Sequence, residues 1–232
     1  MKVRNLDAVI LAAGRGERMR PLTDTTPKPL LSLRGKRLIE WQLESLARAG
    51  VKRVVINTAW LEEQFPAVLG DGLRWGLSIR YSTEAHDHGG ALETAGGIAK
   101  VLPWLGDSFW VVSGDVFVPN FRFDAADADR FAASARLGQL WLAPNAPHHP
   151  KGDFGIDEQG LAVMDDRPRR TWASVGLFHA ELFAAVAPGT TMKLTPLLHQ
   201  AIAQRRLGAC AWDGGWTDVG TPQRLAELAE LV

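Results

Sequence analysis

A chain of 232 residues that is 46% hydrophobic and 22% charged is long enough for one large α/β domain with a well-buried core. Its 26 basic and 26 acidic side chains leave a formal net charge of +0, so neither nucleic acid nor an anionic membrane is expected to attract it as a whole. One cysteine, Cys210, excludes an intrachain disulfide and fits a reducing cytoplasm. No stretch approaches the roughly 20 apolar residues of a membrane span, and the apolar run at 8–13 is too short for a signal sequence.

Strand and helix patterns alternate through the first half. Residues 8–13 read as a strand, and residues 38–49 carry the apolar spacing of an amphipathic helix that stops at Gly50. A strand at 53–57, a short helix at 61–69 interrupted near Pro66, and a strand at 77–81 come next. Residues 92–102 read as a helix despite Gly96 and Gly97, and 109–113 as a buried strand. Such alternation implies parallel pairing with right-handed crossovers, and ligands in such sheets sit beyond the carboxyl ends of the strands. Gly14-Arg15-Gly16 and Gly114-Asp115 both fall there. In the second half, 137–142, 154–156, 161–164 and 174–178 suggest shorter strands, some antiparallel, and 194–204 and 222–231 suggest helices. Residues 143–151, with their prolines and His148-His149, read as a solvated loop or lid, and Cys210 as a packed strand residue.

The first strand runs into Gly14-Arg15-Gly16-Glu17-Arg18-Met19-Arg20-Pro21-Leu22-Thr23, and Pro27-Lys28-Pro29-Leu30 lies just beyond. Glycines let backbone N–H groups approach a phosphate, and cations offset its charge. A dinucleotide-binding Gly-x-Gly-x-x-Gly needs glycine where Met19 stands, and the chain has no P-loop Gly-x-x-x-x-Gly-Lys-Ser/Thr. A Gly-x-Gly turn alone fits an ordinary strand-to-helix turn equally well. The lysine segment makes the difference: proline on each side of Lys28 excludes a regular helix and predicts an ammonium presented from a stiff extended segment. Arg15 and Arg20 fit either a phosphate contact or an exposed surface position.

Residues 11–31 match, at every defined position, the signature Leu-Ala-Ala-Gly-x-Gly-x-Arg-Met-x-Pro-Leu-Thr-x-x-x-Pro-Lys-Pro-Leu. On this stretch the chain resembles the sugar-1-phosphate nucleotidylyltransferases. The likeness continues through Leu92-Glu93-Thr94-Ala95-Gly96-Gly97, Ser113-Gly114-Asp115 and Trp216-Thr217-Asp218-Val219-Gly220-Thr221-Pro222. It is similar above all to short single-domain members that join UTP to N-acetylmuramic acid α-1-phosphate in cell-wall recycling. The resemblance implies a Rossmann-like, mixed but mainly parallel sheet flanked by helices. It would form one domain over 1–232, with a nucleotide half to about 120 and a sugar half beyond. The implied substrates are a nucleoside triphosphate and a sugar 1-phosphate. In this reaction a sugar phosphate oxygen displaces pyrophosphate in line, which calls for cations and metal-binding carboxylates rather than a Ser-His or Cys-His pair.

Carried over residue by residue, the resemblance makes Arg18 and Lys28 the catalytic cations and Asp115 and Asp218 the ligands of Mg²⁺. Without it, Asp218 reads as a cap or turn residue before the Thr221-Pro222 helix start. Leu11, Ala12, Ala13, Gly14, Gly16, Ala95, Gly96 and Ser113 are expected around the nucleotide, with Glu84 reading the base. Gly152, Asp153, Ser174 and Gly176 fall on the family's sugar-contacting strands, although Asp166-Arg167-Pro168 stands where many relatives have Glu-Lys-Pro. Glu93 stands where relatives often have glycine, and residue chemistry leaves the base open. Trp41 and Trp60 read as core or interface residues rather than stacking platforms. Within the same reaction class the rivals are a mannose-1-phosphate guanylyltransferase, a glucose-1-phosphate thymidylyl- or uridylyltransferase and a phosphocholine cytidylyltransferase. A non-catalytic sensor or assembly subunit is the rival from another class, and it should lack one of the four charged residues.

Overall fold

The structure, a computed structural model, describes residues 6–230. Strand β1 (Asp7–Ala12) is buried on both faces, as the centre of a parallel sheet requires. After the cleft-forming turns come a small hairpin, β2 (Ser32–Leu33) and β3 (Lys36–Arg37), and helix α1 (Leu38–Arg48). Glu40 of α1 reaches back to accept from the Arg37 N–H at 2.6 Å, a capping contact that starts the helix. Next in the chain are β4 (Arg53–Thr58), α2 (Gln64–Leu69), β5 (Ser78–Thr83), α3 (Glu84–His88), α4 (Glu93–Val101), β6 (Ser108–Ser113) and β7 (Val116–Phe117). The second half holds α5 (Ala125–Ala132), β8 (Gly138–Ala143), the hairpin β9 (Gly155–Ile156) and β10 (Ala162–Val163), and β11 (Thr171–His179). It ends with α6 (Thr195–Ala203), β12 (Leu207–Ala211), β13 (Thr217–Asp218) and α7 (Pro222–Glu230). Leu231, the predicted end of the last helix, lies outside the described residues.

Seven strands form one sheet in the order β12-β8-β11-β6-β1-β4-β5. β11 alone pairs antiparallel with its neighbours, and the other pairings are parallel. Side chains alternate along β1 between two apolar layers: Ala8, Ile10 and Ala12 join Ile39 and Leu43 of α1, while Val9 joins Ala95 and Ile98 of α4. The result is the expected mainly parallel α/β domain. On the α1 side, Trp110 packs on Phe123 and Trp141 with ring centroids 5.1 and 5.0 Å apart.

Several local expectations change. Pro66 does not interrupt α2; it is the third residue of the helix, in the first turn, where a missing N–H costs no helical bond. Lys28 is not on an extended segment: Lys28–Leu30 is a 3₁₀ turn, closed by Leu30 N–H to Pro27 O (2.8 Å) and Leu31 N–H to Lys28 O (3.1 Å). Neither bond needs a proline N–H, so the flanking prolines permit the turn. β11 is longer than 174–178 and carries a register shift between Trp172 and Gly176. Cys210 lies in β12, where burial pushes its thiol up to about 11.

Candidate active site

The carboxyl ends of β1, β4 and β6 and the start of α4 enclose a half-open cleft of about 690 Å³. Its floor is the turn after β1. Gly16 has φ 68°, and a Cβ there would lie 3.1 Å from Thr23 Cγ2 and 3.2 Å from Lys28 Cβ, so glycine is needed for both conformation and space. The Thr23 hydroxyl donates to Gly16 O at 2.8 Å and pins the turn. Met19 is fully buried against Leu33, Leu38 and Val219, which leaves its neighbour Arg18 exposed on the cleft wall.

Lys28 Nζ donates to Asp115 Oδ2 at 2.6 Å, and the Ser113 hydroxyl donates to Asp115 Oδ1 at 2.5 Å. Burial works to raise the Asp115 carboxyl, but the Lys28 charge and these hydrogen bonds outweigh it and hold the group below the usual carboxylate range. Arg15 lines the cleft, yet its guanidinium lies 3.5 Å over the Trp60 ring and donates to Thr23 O at 2.8 Å. It braces the turn. Trp60 thus packs against a side chain of its own protein, and its indole N–H donates to Thr23 O at 2.9 Å. Arg20 is an exposed partner of Asp24 at 2.7 Å.

Asp115 and Asp218 come together through the β7–β13 pair, where the Val219 N–H donates to Asp115 O at 3.1 Å. Asp218 Oδ1 accepts from Arg224 at 2.7 Å and lies 3.2 Å from His148 Nε2, facing an adjoining hollow of about 700 Å³. A Cβ on Gly220 would sit 3.0 Å from Asp218 Oδ2 and 3.5 Å from Arg18 Nη1, so this glycine lets the carboxylate and the arginine approach one spot. Two hard carboxylates suit Mg²⁺, which completes its shell with phosphate oxygens and water. Among the described residues no cluster of three or more His, Cys, Asp or Glu is placed to hold a metal.

Of the residues expected around the nucleotide, Leu11, Ala12, Ala13, Gly14, Gly16 and Ser113 line the cleft. Ala95 and Gly96 do not; they are buried, and their N–H groups donate to Met192 O at 2.9 and 3.1 Å. A Cβ on Gly96 would sit 2.1 Å from Thr190 O, so the glycine seats α4 against that segment. Glu84 is fully buried and does not reach the cleft. Its oxygens accept from Asn57 Nδ2 (2.8 Å) and the Leu92 N–H (2.7 Å); burial raises its carboxyl, and these bonds partly offset the rise. Asn57 takes the place at the wall. Sequence reading missed it, although a polar residue near the carboxyl end of the apolar strand Arg53–Thr58 was a usable signal.

The four residues expected at the sugar lie outside this cleft. Ser174 has φ 56° in the β11 irregularity, one residue before Val175, which pairs with Val112. Ser174 therefore lies level with Ser113, at the carboxyl end of β6. Asp153 accepts from the Trp172 N–H at 2.8 Å and faces His149 Nε2 at 3.0 Å. Gly152 (φ 61°) and Gly176 serve packing: a Cβ would meet Asn145 Oδ1 at 2.6 Å and Gln139 O at 3.0 Å respectively. His148 and His149 lie on a solvent-exposed loop, as expected, and each imidazole also meets a carboxylate that the sequence had singled out.

Comparison with known proteins identifies the family. A sequence model of the nucleotidyl transferase family matches residues 7–232. The chain is 45% identical over 230 residues to an N-acetylmuramate α-1-phosphate uridylyltransferase of Neisseria meningitidis, covering 97% of this chain and 98% of that one. A Caulobacter vibrioides enzyme of the same name is 33% identical over 97% of this chain and 96% of its own. A solved Bacillus anthracis structure assigned as a glucose-1-phosphate thymidylyltransferase superposes with a TM-score of 0.82 at 19% identity, covering 98% of this chain and 96% of that one, a likeness of fold. With its glycine turn, paired Lys28 and Asp115, and a family match along nearly its whole length, the chain belongs to the nucleotidyl transferase family and is an enzyme of that kind.

Proposed function

We propose that the protein joins UTP to N-acetylmuramic acid α-1-phosphate, giving UDP-N-acetylmuramic acid and pyrophosphate, as a Mg²⁺-dependent cytoplasmic step in peptidoglycan recycling. The observation that carries the reaction class is Lys28 Nζ 2.6 Å from Asp115 Oδ2 in a cleft floored by the glycine turn. The Neisseria and Caulobacter relatives, similar over nearly their full lengths, support the choice of substrates.

A sugar phosphate oxygen forms the new bond to the α-phosphorus while the bond to the β-phosphate oxygen breaks and pyrophosphate leaves. The amides of Gly14 to Gly16 and the Arg18 guanidinium hold the β- and γ-phosphates. Lys28 sits where the α-phosphate and the attacking phosphate meet and neutralises their mutual repulsion. Asp115 and Asp218 would hold Mg²⁺, which supplies further charge neutralisation at the phosphates. No protein nucleophile is required, and the lone thiol is raised to about 11 on β12, outside this cleft.

The test is pyrophosphate release with Mg²⁺ across UTP, dTTP, GTP and CTP, each paired with N-acetylmuramic acid, N-acetylglucosamine, glucose and mannose 1-phosphates. Dominant release from UTP with the N-acetylmuramic acid compound is the expected result. Another winning pair discards these substrates and keeps the residue roles, and silence in every pairing removes the reaction.

A further inference from the structure

Asn57 and Glu84 lie in a chain of hydrogen bonds whose donor and acceptor order has no slack. The Ala12 N–H donates to Asn57 Oδ1 at 2.9 Å, so Asn57 must turn its amide nitrogen the other way, and that nitrogen donates to Glu84 Oε1 at 2.8 Å. From the far side the Leu92 N–H donates to Glu84 Oε2 at 2.7 Å. Glu84 thus receives one donor on each oxygen, and a carboxylate is the side chain that accepts at both ends. An amide in its place sets an NH₂ group against one of the two donors in a fully buried position.

The chain of bonds joins opposite walls of the cleft. Ala12 closes β1 at the phosphate turn, and Leu92 immediately precedes Glu93 and Thr94, which line the other wall at the start of α4. α4 lies directly on the pair, because a Cβ on Gly97 would fall 2.5 Å from Glu84 Oε1 and 2.7 Å from Asn57 Nδ2. We infer that Glu84 is a positioning residue which, through Asn57 and the Leu92 amide, sets the span between the phosphate turn and the α4 wall and does not itself touch the base. The role rests on the cleft being the nucleotide site. A nucleotide touches both walls, whereas phosphate alone touches one. A disturbed span therefore weakens only the ligand that bridges it.

The experiment measures, by calorimetry with Mg²⁺, binding of inorganic tripolyphosphate and of whichever nucleoside triphosphate the wild type prefers. Glu84→Gln is expected to weaken the nucleotide roughly tenfold, the scale of one lost buried hydrogen bond, and to leave tripolyphosphate within about twofold. The double variant Asn57→Asp/Glu84→Gln restores every bond. Its new carboxylate accepts from Ala12 and from the new amide, whose oxygen accepts from Leu92. The charge moves to the cleft wall and weakens both ligands together, so the ratio of the two affinities returns to the wild-type value. Equal losses on both ligands in the single variant, no loss on either, no recovery of the ratio in the double variant, or a wild type that ignores tripolyphosphate would each overturn the role. If the single variant does not fold, the double variant decides alone: wild-type ratio supports the role, and an altered ratio or an unfolded protein removes it. Because the preferred nucleotide is chosen by measurement, an error over UTP leaves this test standing.

Discussion

At the carboxyl end of β1, the groups proposed to meet phosphate come from one short stretch of chain. Gly14, Gly16, Arg18 and Lys28 lie within 11–31, and one distant strand end brings Asp115 to the lysine. Around β11, by contrast, Gly152, Asp153, Ser174 and Gly176 come from two segments, and their contacts run to Asn145, His149 and Trp172 rather than into the cleft. The first region is held by backbone turns and an ion pair whose lysine is buried. In the second, Ser174 and Gly176 sit on a strand inside the sheet, and the Asp153 side chain ties the neighbouring loop to that strand. Under the proposed reaction, chemistry that tolerates little displacement would fall on the first and sugar recognition on the second.

The largest expected effect comes from removing the cation. Lys28→Ala should lower turnover by about 10²–10³-fold, the cost of one preorganised group at a developing charge. Circular dichroism should show the fold intact. Unchanged turnover would remove Lys28 from the chemistry and with it the contrast drawn above.

Asp115→Asn comes next. Activity and its Mg²⁺ dependence should fall together, and an unaltered metal titration would take Asp115 out of the site. The same variant has a pH signature. Asp115 titrates lower in the folded protein, so its contribution to stability is complete above the unfolded carboxyl value of about 3.9 and is lost as pH falls through the lower folded value. Glu84 has the opposite sign. Its folded value is raised, so its contribution is present below the unfolded value and is lost as pH rises through the raised one. Acid melts of wild type and Asp115→Asn should therefore converge as pH falls. Curves that stay parallel through the acid range would contradict the sign.

The phosphate region was legible in sequence because its residues are neighbours and because glycine, arginine and lysine in that order have few other uses. Its one local error, the extended Lys28 segment, came from treating both prolines as helix breakers; a 3₁₀ turn uses only the N–H groups of Leu30 and Leu31. Glu84 was expected at the base and is instead buried behind the cleft, since its partners Asn57 and Leu92 lie on β4 and just before α4. No spacing reveals such a meeting. α5 escaped notice because only Ala128 and Phe131 are buried in it, too few for a helical stripe, although Asp124 caps it with a bond to the Ala126 N–H at 2.8 Å. The Gly96-Gly97 pair looked like a weakness in a helix. The structure gives each glycine a neighbour that a methyl group would strike.

Gly97→Ala tests that explanation. Its Cβ would press on the Glu84 and Asn57 side-chain ends, and overpacking of this kind costs about 1–3 kcal/mol. The melting temperature should drop by roughly 2–4 °C for each kcal/mol in a chain of this size, although alanine is the better helix former. A variant more stable than wild type would mean that α4 shifts freely and that the contact does not set its position.

The smallest effect is expected in the sugar half. Asp153 holds the Trp172 N–H at 2.8 Å and faces His149, so it ties the start of β11 to the 143–151 loop. Asp153→Ala frees both segments and should raise the KM for the sugar phosphate about fivefold, the scale of one hydrogen bond of roughly 1 kcal/mol. Asp153→Asn keeps an acceptor for Trp172, and the imidazole can meet the new amide in its other tautomer, so its KM should stay near wild type. In both variants the KM for the nucleotide should not move. A rise in nucleotide KM instead would mean that the loop presses on the phosphate cleft through His148 and Asp218, which lie 3.2 Å apart. The two regions would then be one mechanical unit, not a rigid phosphate site beside an adjustable sugar site.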